Sequence, residues 1–392
     1  MMTDDQKILL ITTAEDFNAL RSDWQILNNN SKKGNIFTSW EWLYTWWEVY
    51  QSDGKRQLYI IACKDKNNKL IGLAPFQISH NPKKYFPCSK QLIMLGTGET
   101  DGSFVFGEYM DLLISPGHEE SVLKLLSEYL YTHRDLWDGI KFHQILSGSE
   151  ASKLFTQDKE QETVFIQTIQ AHGFRTIIEL PDTYQAYLMT LRKKMRNNIT
   201  RVFSRLEREQ KYTIEEVNSI EELDDAISLL AELNRTRRGD MNLGSSFEQV
   251  NFEKYHHKLA QRLFVLNDPD SIFSLRIMRF AEKPVAILYS FIDGDTLHAY
   301  QSGFEKENGQ RYSLLTTMLT QEISQSINNK KLKFFNFMYA DDESTYKHRY
   351  AGITEKVYDI SYEHNNLKGR LYLFLHGTVK PLVKRLLKRT EK

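Results

Sequence analysis

Short runs of hydrophobic residues, separated by turn residues, follow one another between positions 271 and 352. Their lengths and periods predict two strands, a turn, an extended segment, a helix, a buried strand and a charged loop. The predicted bounds are, in that order, 271–278, 284–291, 293–295, 297–304, 312–327, 333–338 and 341–347. The stretch is therefore predicted to form an α/β unit in which a hairpin leads into a helix and the chain returns as a strand.

The first half of the chain shows a similar order of elements. A strand at 7–11 and a helix at 14–28 are predicted first. The strands and the helix that follow are predicted at 58–63, 70–78, 91–95, 110–114, 119–132 and 137–145. The similar order in the two halves indicates a weak internal duplication, and thus two similar α/β domains.

Four of the six tryptophans lie close together near position 40. Thr38 and Glu41 fit a capping box, and Phe37 with Trp42 fits the hydrophobic staple that accompanies it, so a helix is predicted here. Trp42 and Trp46 are four residues apart and would share one helix face. That face could form an aromatic platform for a sugar or a base, but a heavily packed core helix is the favoured interpretation.

Two other segments are basic and amphipathic. Residues 184–211 place apolar side chains every three or four positions, with many arginines and lysines between them, which predicts one long helix. Helices at 220–235 and 247–263 follow it. The segment 367–392 has a similar pattern, with Pro381 marking a helix start or a kink. The basic face of the first helix could bind a polyanion, or it could simply be solvated.

Composition narrows the class of protein. The 392 residues include 51 basic and 51 acidic side chains, so any affinity for nucleic acid or a membrane must come from local patches. The two cysteines are too few for a disulfide framework or a zinc site. The start of the chain lacks the pattern of a signal peptide, and no apolar run approaches the ~18–20 residues that cross a bilayer. We therefore expect a cytoplasmic protein, attached at most to the inner face of a membrane.

Several short motifs resemble those of the CelD-like group of acetyltransferases, which belongs to the GNAT superfamily and is related to the Fem-type aminoacyl transferases. The similar segments span most of the chain, and their order and spacing carry more weight than any one of them. They are 37–42, 70–76, 191–199, 237–239, 300–304, and 335–340 leading to Tyr346 and Lys347. Members of this group are implicated in the production of cellulose and exopolysaccharides.

The resemblance implies an α/β (α+β) fold of tandem GNAT-like domains, each a mixed sheet flanked by helices. The expected domains are 1–180 and 181–366, followed by a basic amphipathic tail at 367–392. The implied activity is transfer of an acyl group, above all acetyl, from acetyl-CoA or another acyl-CoA to an amine or hydroxyl. The acceptor would be a sugar, an amino acid or a cell-envelope precursor. The reaction would use no metal and form no covalent enzyme intermediate.

The chain departs from the group at two places. Asn336 and Ala340 stand where the last strand usually has an aspartate and a glycine turn. The pyrophosphate loop is reduced to Gly309, Gln310, Arg311, Tyr312 and Ser313, just before the predicted helix. Backbone amides at a helix start can hold an anion, so this segment is the candidate CoA site, with an ordinary turn as the alternative.

The candidate catalytic residues supply proton transfer or stabilise an oxyanion. Asp111 and His298 are candidate bases, although a lone histidine on a strand is more often structural. Tyr300 and Tyr346 could donate to an oxyanion or a leaving group, or could simply be amphipathic core edges. Lys347 could neutralise a phosphate or an oxyanion; a solvated basic turn is its alternative, and the resemblance favours function.

The candidate acceptor or polyanion contacts are Lys194, Arg196, Arg237 and Arg238, chosen because they match the group's helices. Two other functions stay open. One is a Fem-type transfer from aminoacyl-tRNA, in which the 192–208 helix would contact tRNA. The other is a non-catalytic accessory protein of polysaccharide synthesis, which would contact an anionic membrane through its C-terminal tail.

Overall fold

The computed structural model describes residues 6–80, 90–105, 107–156, 158–209, 212–240, 244–265, 273–341 and 346–375. The chain divides into two compact units. Unit 1 takes its residues from 1–98, 107–172 and 357–392, and unit 2 from 99–106 and 173–356. Each unit contains a mixed sheet with helices, which confirms the predicted fold class. The predicted boundaries of independent domains, 1–180 and 181–366, stay a prediction.

Unit 1 is built on an N-terminal run of antiparallel strands that ends in a parallel pair. Its strands are β1 (Lys7–Ile11), β2 (Arg56–Lys64), β3 (Leu70–His80), β4 (Lys90–Met94), β5 (Leu113–Ile114), β6 (Gly139–Leu146) and the first part of β7 (Phe165–Glu179). Its helices before β7 are α1 (Ala14–Ala19), α2 (Arg21–Asn30), α3 (Trp40–Tyr50), α4 (Glu119–Thr132) and α5 (Lys159–Val164), and α12 (Leu367–Phe374) follows near the end of the chain. Strands β1 to β4 pair in order and antiparallel, and β6 adds to β4 in parallel.

The tryptophan-rich helix α3 lies in the core of unit 1. Trp42 and Trp46 are fully buried, and Trp40 and Trp47 are nearly so. Burial of the whole group confirms the packed core helix. The predicted cap was wrong, however: the side chain of Ser39 accepts from the Trp42 N–H and begins α3, while Asn35 and Thr38 form a capping box for the preceding 3₁₀ turn.

Unit 2 repeats this arrangement. Its elements begin with the last part of β7 and continue with α6 (Tyr184–Thr190), α7 (Lys193–Glu209), β8 (Tyr212–Glu216), α8 (Ile220–Asp240), α9 (Val250–Val265), β9 (Phe273–Phe280), β10 (Lys283–Asp293) and β11 (Thr296–Phe304). It ends with α10 (Lys306–Arg311), α11 (Leu314–Asn328), β12 (Phe334–Ala340), a 3₁₀ helix (Tyr346–Tyr350) and the start of β13 (Ile353–His364). Strands β8 to β11 pair antiparallel in order, and β12 adds to β11 in parallel.

The last strand of each sheet comes from a distant part of the sequence. Strand β7 follows β6 along the chain, yet its residues 174–179 pair with β12 in unit 2. Strand β13 follows β12, yet its residues 357–363 pair with β6 in unit 1. The predicted duplication is therefore present as a repeated strand pattern, in which the closing strands are exchanged.

Five predicted helices differ in their bounds or continuity, and two of them, predicted at 247–263 and 312–327, are α9 (Val250–Val265) and α11 (Leu314–Asn328). The helix predicted at 14–28 is two helices, α1 and α2, and the helix predicted at 184–211 is α6 and α7, separated where Leu191 adopts extended backbone angles. Helix α8 continues to Asp240 instead of ending at residue 235. In the C-terminal segment the structure describes α12 (Leu367–Phe374) and residue 375, so Pro381 lies outside the described residues. Among the helices of the described part, none is long and apolar enough to span a bilayer.

Helix α8 packs directly on β11 at Gly303. A Cβ atom at this position would lie 2.7 Å from the Leu233 Cβ and 2.9 Å from the backbone nitrogen of Asn234. Both distances are well below ordinary contact, and one of them is to backbone, which cannot rotate away. The absence of a side chain at Gly303 therefore sets how closely the helix approaches the strand.

Replacing Gly303 with alanine is expected to destabilise the protein by about 1–3 kcal/mol, because α8 must move away from β11. Urea unfolding measured by circular dichroism would test this. Gly244→Ala is the matched control, since nothing lies within 4 Å of a Cβ built there. Equal stability of both variants would contradict the close packing.

Candidate active site

The parallel strands β11 and β12 separate part of the way along their length. They pair at three positions, from Thr296↔Phe334 to His298↔Asn336, and these are the pairs that join them in the described structure. Beyond Asn336 the register of β12 shifts, and Met338 has a positive φ of 62°. A left-handed residue in a strand bends it away from its neighbour. An opening therefore begins between the strands just after His298 and Asn336.

Asn336 connects the two sides of this opening. Its side-chain Nδ2 donates to Nδ1 of His298 at 3.1 Å, and its Oδ1 accepts from the Met338 N–H at 2.9 Å. Both side chains are buried. Because an amide nitrogen can only donate, Nδ1 of His298 is the acceptor and the ring proton is on Nε2. Asn336 thus fixes both the tautomer of the histidine and the bend in the strand.

His298 is held in its neutral form. Burial, with the charge of Arg175 adding to it, lowers the pKa of His298 to about 3. A neutral imidazole with so low a pKa is a weak base near pH 7. Its predicted role as the general base therefore gains no support from its environment, whereas a neutral hydrogen-bonding role is compatible with it.

Tyr300 lies on the same side of β11, two residues beyond His298. Its hydroxyl is 3.4 Å from Nε2 of His256, which projects from α9. His256 is fully buried, and burial lowers its pKa to about 3 as well. His256 was not predicted from the sequence, because a histidine within an amphipathic helix gives no separate signal.

Lys347 is bound to the end of β12. Its ammonium donates to the carbonyl oxygens of Met338, at 2.9 Å, and Tyr339, at 2.5 Å. The side chain is half-buried in the 3₁₀ helix Tyr346–Tyr350. The structure therefore places a positive charge at the bend of β12, instead of the solvated turn that was the alternative. Tyr346, its neighbour, is 41% exposed.

Arg237 reaches β11 beyond the last strand pair. Its Nη1 donates to the Ser302 hydroxyl at 3.3 Å, and its guanidinium carbon lies 5.3 Å from the centre of the Phe304 ring. One turn earlier in α8, Asn234 donates to the Ser302 carbonyl at 2.8 Å. The neighbouring Arg238 instead bonds the Gly244 carbonyl. Of these two predicted arginines, Arg237 is thus the one held against β11.

The candidate CoA loop is largely helical. Gly309, Gln310 and Arg311 belong to α10, which corrects the predicted turn. Gly309 packs on Phe304, where a Cβ would lie 3.0 Å from the ring, so tertiary contact stabilises a helix at a residue that usually ends one. Tyr312 follows fully buried, and Ser313, with φ of 46°, precedes α11.

Arg311 has a counter-ion in the protein itself. Its guanidinium is 2.8 Å from a carboxylate oxygen of Glu209 at the end of α7, and Arg205 donates to its backbone carbonyl at 3.0 Å. Hydrogen bonds from Arg208 and then Arg311 lower the pKa of Glu209 to about 2. A phosphate at Arg311 would have to compete with this carboxylate.

The two predicted residues of α7 differ in their surroundings. Lys194 is exposed. Arg196 is half-buried and donates to the carbonyls of Leu188 and Leu191, at 3.4 and 3.3 Å, where α6 ends. Arg196 therefore caps a helix, while Lys194 is available to a partner.

Asp111 belongs to unit 1 and lies just before β5, not on a strand as predicted. Its carboxylate accepts from the backbone N–H groups of Leu112, Glu150 and Ala151 at 2.7–2.9 Å. Burial raises its pKa, and these hydrogen bonds oppose the rise. Three backbone bonds are typical of a carboxylate that stabilises a turn. The structure therefore places His298, Tyr300 and the Ser302 contact of Arg237 along β11, but it places Asp111 in the other unit.

Residues 193–348 match the family model described as an acetyltransferase (GNAT) domain. No curated protein sequence matches the chain. Matched solved structures include FemX, at 10% identity and a TM-score of 0.60, covering 94% of this chain and 99% of that one.

Two further structures have similar folds. A conserved protein of unknown function from Bacteroides thetaiotaomicron VPI-5482 has 14% identity and a TM-score of 0.53, over 91% of this chain and all (100%) of that one. The C-terminal domain of a putative lysylphosphatidylglycerol synthetase from Agrobacterium fabrum has 11% identity and a TM-score of 0.52, over 92% and 96%. At these identities the likeness is one of fold, and the family match supports a GNAT domain at residues 193–348. Membership of the CelD-like group stays a prediction.

Proposed function

We propose that unit 2 transfers an acyl group from a CoA thioester to an amine or hydroxyl acceptor, at the opening between β11 and β12. The observation that supports this most directly is the separation of the two parallel strands after His298 and Asn336, within the segment that matches the GNAT model. Separated strands expose backbone groups that an extended acyl chain can pair with. The acyl carbon would lie beside the Lys347 ammonium at the bend of β12.

The reaction is a direct displacement. A neutral amine attacks the acyl carbon, a C–N bond forms, and the C–S bond breaks with its electron pair remaining on sulfur. The nitrogen loses one proton and the sulfur gains one, so the products are an amide and a free thiol. Lys347 stabilises the negative charge on the acyl oxygen, and the hydroxyls of Tyr300 and Tyr346 are available as donors. His298 and Asn336 keep the opening in shape.

Thiol release from acetyl-CoA tests this proposal. The full chain would be incubated with a panel of amino-sugars, amino acids and hydroxyl acceptors, and acylated products would be identified by mass. Lys347→Gln is expected to lower kcat by about 10²-fold, as for loss of an oxyanion donor. Arg279→Gln is the control, because Arg279 pairs with Glu215 on β8. Absence of acetyl-CoA binding by calorimetry would rule out the CoA donor.

A second donor, aminoacyl-tRNA, is supported by different observations. Arg311 is already paired with Glu209, and the start of α7 has exposed basic side chains, Lys193 and Lys194, directly after the exposed Arg192. FemX has the highest TM-score of the structures described above. With this donor, the ester bond between the acyl carbon and the ribose oxygen of tRNA breaks. The proton that the acceptor loses goes to that ribose oxygen.

tRNA binding by wild-type protein and Lys194→Glu would separate the donors. Lys194 is the better position for this test than Arg196, because Arg196 caps α6 and its loss would also disturb the fold. Lys32→Glu, on unit 1, is the control for net charge. Salt-dependent tRNA binding that Lys194→Glu weakens and Lys32→Glu does not would favour aminoacyl transfer.

We also propose that the protein acts in polysaccharide synthesis, lies in the cytoplasm and contacts an anionic membrane. The described part of the C-terminal tail supports the contact: Leu367, Leu371 and Phe374 share one face of α12 and are 85%, 45% and 58% exposed. Lys368 and Arg370 flank this face. A non-catalytic accessory protein would show sedimentation with anionic vesicles and no turnover with either donor.

A further inference from the structure

Arg237 has an incompletely satisfied guanidinium. The side chain is half-buried at the end of α8, and its Nε is buried with no hydrogen-bond partner. Its Nη1 makes a long bond of 3.3 Å to the neutral hydroxyl of Ser302. One edge of the planar guanidinium therefore retains a donor that the protein does not use.

Three arginines of unit 2 show the usual arrangement, an ion pair with a carboxylate. Arg235 is 2.7 Å from Glu253, Arg311 is 2.8 Å from Glu209, and Arg276 is 3.2 Å from Glu322. Arg237 forms no ion pair with a carboxylate in the described part of the chain. The centre of the aromatic ring of Phe304 lies 5.3 Å from its guanidinium carbon.

An unpaired charge in this position is costly. Burial lowers the pKa of the Arg237 guanidinium; the nearby Tyr346 opposes this, and Arg238 adds to it. Moving a cation out of water without a counter-ion is unfavourable, so such a group is retained where an anion completes it. The guanidinium fork matches a carboxylate or a phosphate, which it can bind through two parallel hydrogen bonds.

The location connects this group to the opening. Ser302 and Phe304, which Arg237 contacts, lie on β11 four and six residues beyond His298, where pairing with β12 has ended. Tyr300 is an extra residue at a register shift between β10 and β11, so Ser302, opposite Leu288, and His298, opposite Phe291, lie on opposite faces of β11. Tyr346, which precedes Lys347 near the bend of β12, is close enough to Arg237 to oppose the lowering of its pKa. A molecule whose nucleophile reached the opening could therefore place an anionic group at Arg237.

We infer that Arg237 is an anion subsite for the acceptor, which carries a carboxylate or a phosphate. That the bound anion belongs to the acceptor rests on the proposed function, whereas anion binding at Arg237 does not. A neutral sugar or a simple amine would leave the Nε–H unpaired and would bind less tightly.

Anion binding is tested first, without any turnover. The Nε–H signal of Arg237 in the full chain would be assigned by its loss in Arg237→Lys, and followed by NMR during titration with inorganic phosphate and with acetate, at ionic strength held constant with chloride. A saturable shift with either anion is expected. A shift with phosphate alone would indicate a phosphate group, and a shift with acetate would indicate a carboxylate. An Nε–H signal that neither anion moves would overturn the inference.

Acceptor selectivity is tested second, with pairs that share a nucleophile. Glucosamine 6-phosphate is compared with glucosamine, and an amino acid with its amide. Arg237→Gln is expected to raise KM for the charged member by about 10–100-fold, which corresponds to a charged hydrogen bond, and to leave the neutral member unchanged. Arg279→Gln should change neither KM. Arg237→Lys keeps the charge but loses the planar fork, so its KM for the charged member should lie between those of the wild type and Arg237→Gln.

The two tests separate this inference from the proposed function. An NMR shift without turnover on any acceptor would leave the anion subsite in place and contradict acyl transfer. Turnover that is equal for charged and neutral acceptors, with no NMR shift, would support acyl transfer and reject the subsite. Thermal melts of Arg237→Gln and Arg237→Lys would check that both variants are folded.

Discussion

Replacing Asn336 with alanine is expected to destabilise the protein by about 2–5 kcal/mol and to abolish acyl transfer. The change removes two buried hydrogen bonds, one to Nδ1 of His298 and one from the Met338 N–H. Both partners stay buried, so each is left without its bond. Met338 would also lose a bond that holds its positive φ of 62°, so the bend of β12 would relax. Urea unfolding and thiol release measured on the same sample would test both effects.

Asn336→Asp serves as the comparison because it keeps the shape and the acceptor for Met338 but loses the donor to His298. A carboxylate there would raise the pKa of His298 and favour the tautomer with a proton on Nδ1. We expect a folded protein with a changed dependence of activity on pH. Asn30→Ala, at an exposed position on α2, controls for the loss of an amide. If Asn336→Ala is as stable as Asn30→Ala, Asn336 does not connect the two strands as described.

Stability should fall in acid because of His256 and His298. Each has a pKa of about 3 in the folded protein, against an ordinary value of 6.5. Between these values the unfolded chain binds more protons than the folded one, so stability is lost as pH falls from about 6.5 to 3. The slope is about 1.4 kcal/mol per pH unit for each histidine. His256→Gln, which does not titrate, should lose less stability than the wild type over this range.

Two buried glutamates have the opposite effect on the pH dependence of stability. Burial raises the pKa of both Glu322 and Glu363 to about 7 from an ordinary value of 4.5. Between these values the folded protein binds more protons, so their contribution is lost as pH rises from about 4.5 to 7. The histidines and glutamates should nearly cancel between about pH 4.5 and 6.5, and the histidines should dominate below that range.

Urea unfolding of wild type, His256→Gln and Glu322→Gln from pH 3.5 to 8 would measure these slopes. The curve of Glu322→Gln should be steeper than that of the wild type between about pH 4.5 and 6.5, since Glu363 then offsets only one of the two histidines there. Parallel curves for His256→Gln and the wild type would show that the folded protein does not keep His256 neutral.

The strong hydrophobic patterns of the sequence predicted much of the fold. The helix at 119–132 and the strand at 7–11 have the predicted bounds, because an uninterrupted apolar face decides them. Helix α10 was missed because Gly309 suggests a turn, and the contact with Phe304 that favours a helix cannot be read from a sequence. The break at Leu191 was missed for a similar reason: the apolar period continues through it, and capping by Arg196 depends on the folded structure.

The candidate site was predicted in part. His298, Tyr300 and Arg237 were identified as single residues, but no sequence pattern gives the register of β11 with β12, which sets the contact between His298 and Asn336. The role of Asn336 was visible only as a departure from the aspartate of a related group. Arg311 was expected to bind an anion, and the sequence offered no sign that Glu209, on another helix, already binds it.

The exchange of β7 and β13 has a consequence for how the chain folds as it is synthesised. Strand β6 ends at Leu146, but the segment of β13 that pairs with it begins at Val357, more than 200 residues later. At about 5–20 residues per second, a ribosome needs roughly 10–40 s to produce that partner. During this time the edge of β6 is open to pairing with other strands, which favours aggregation. Unit 1, although it is made first, is therefore expected to close its sheet last, and chaperones that bind nascent chains should engage it for longer than unit 2.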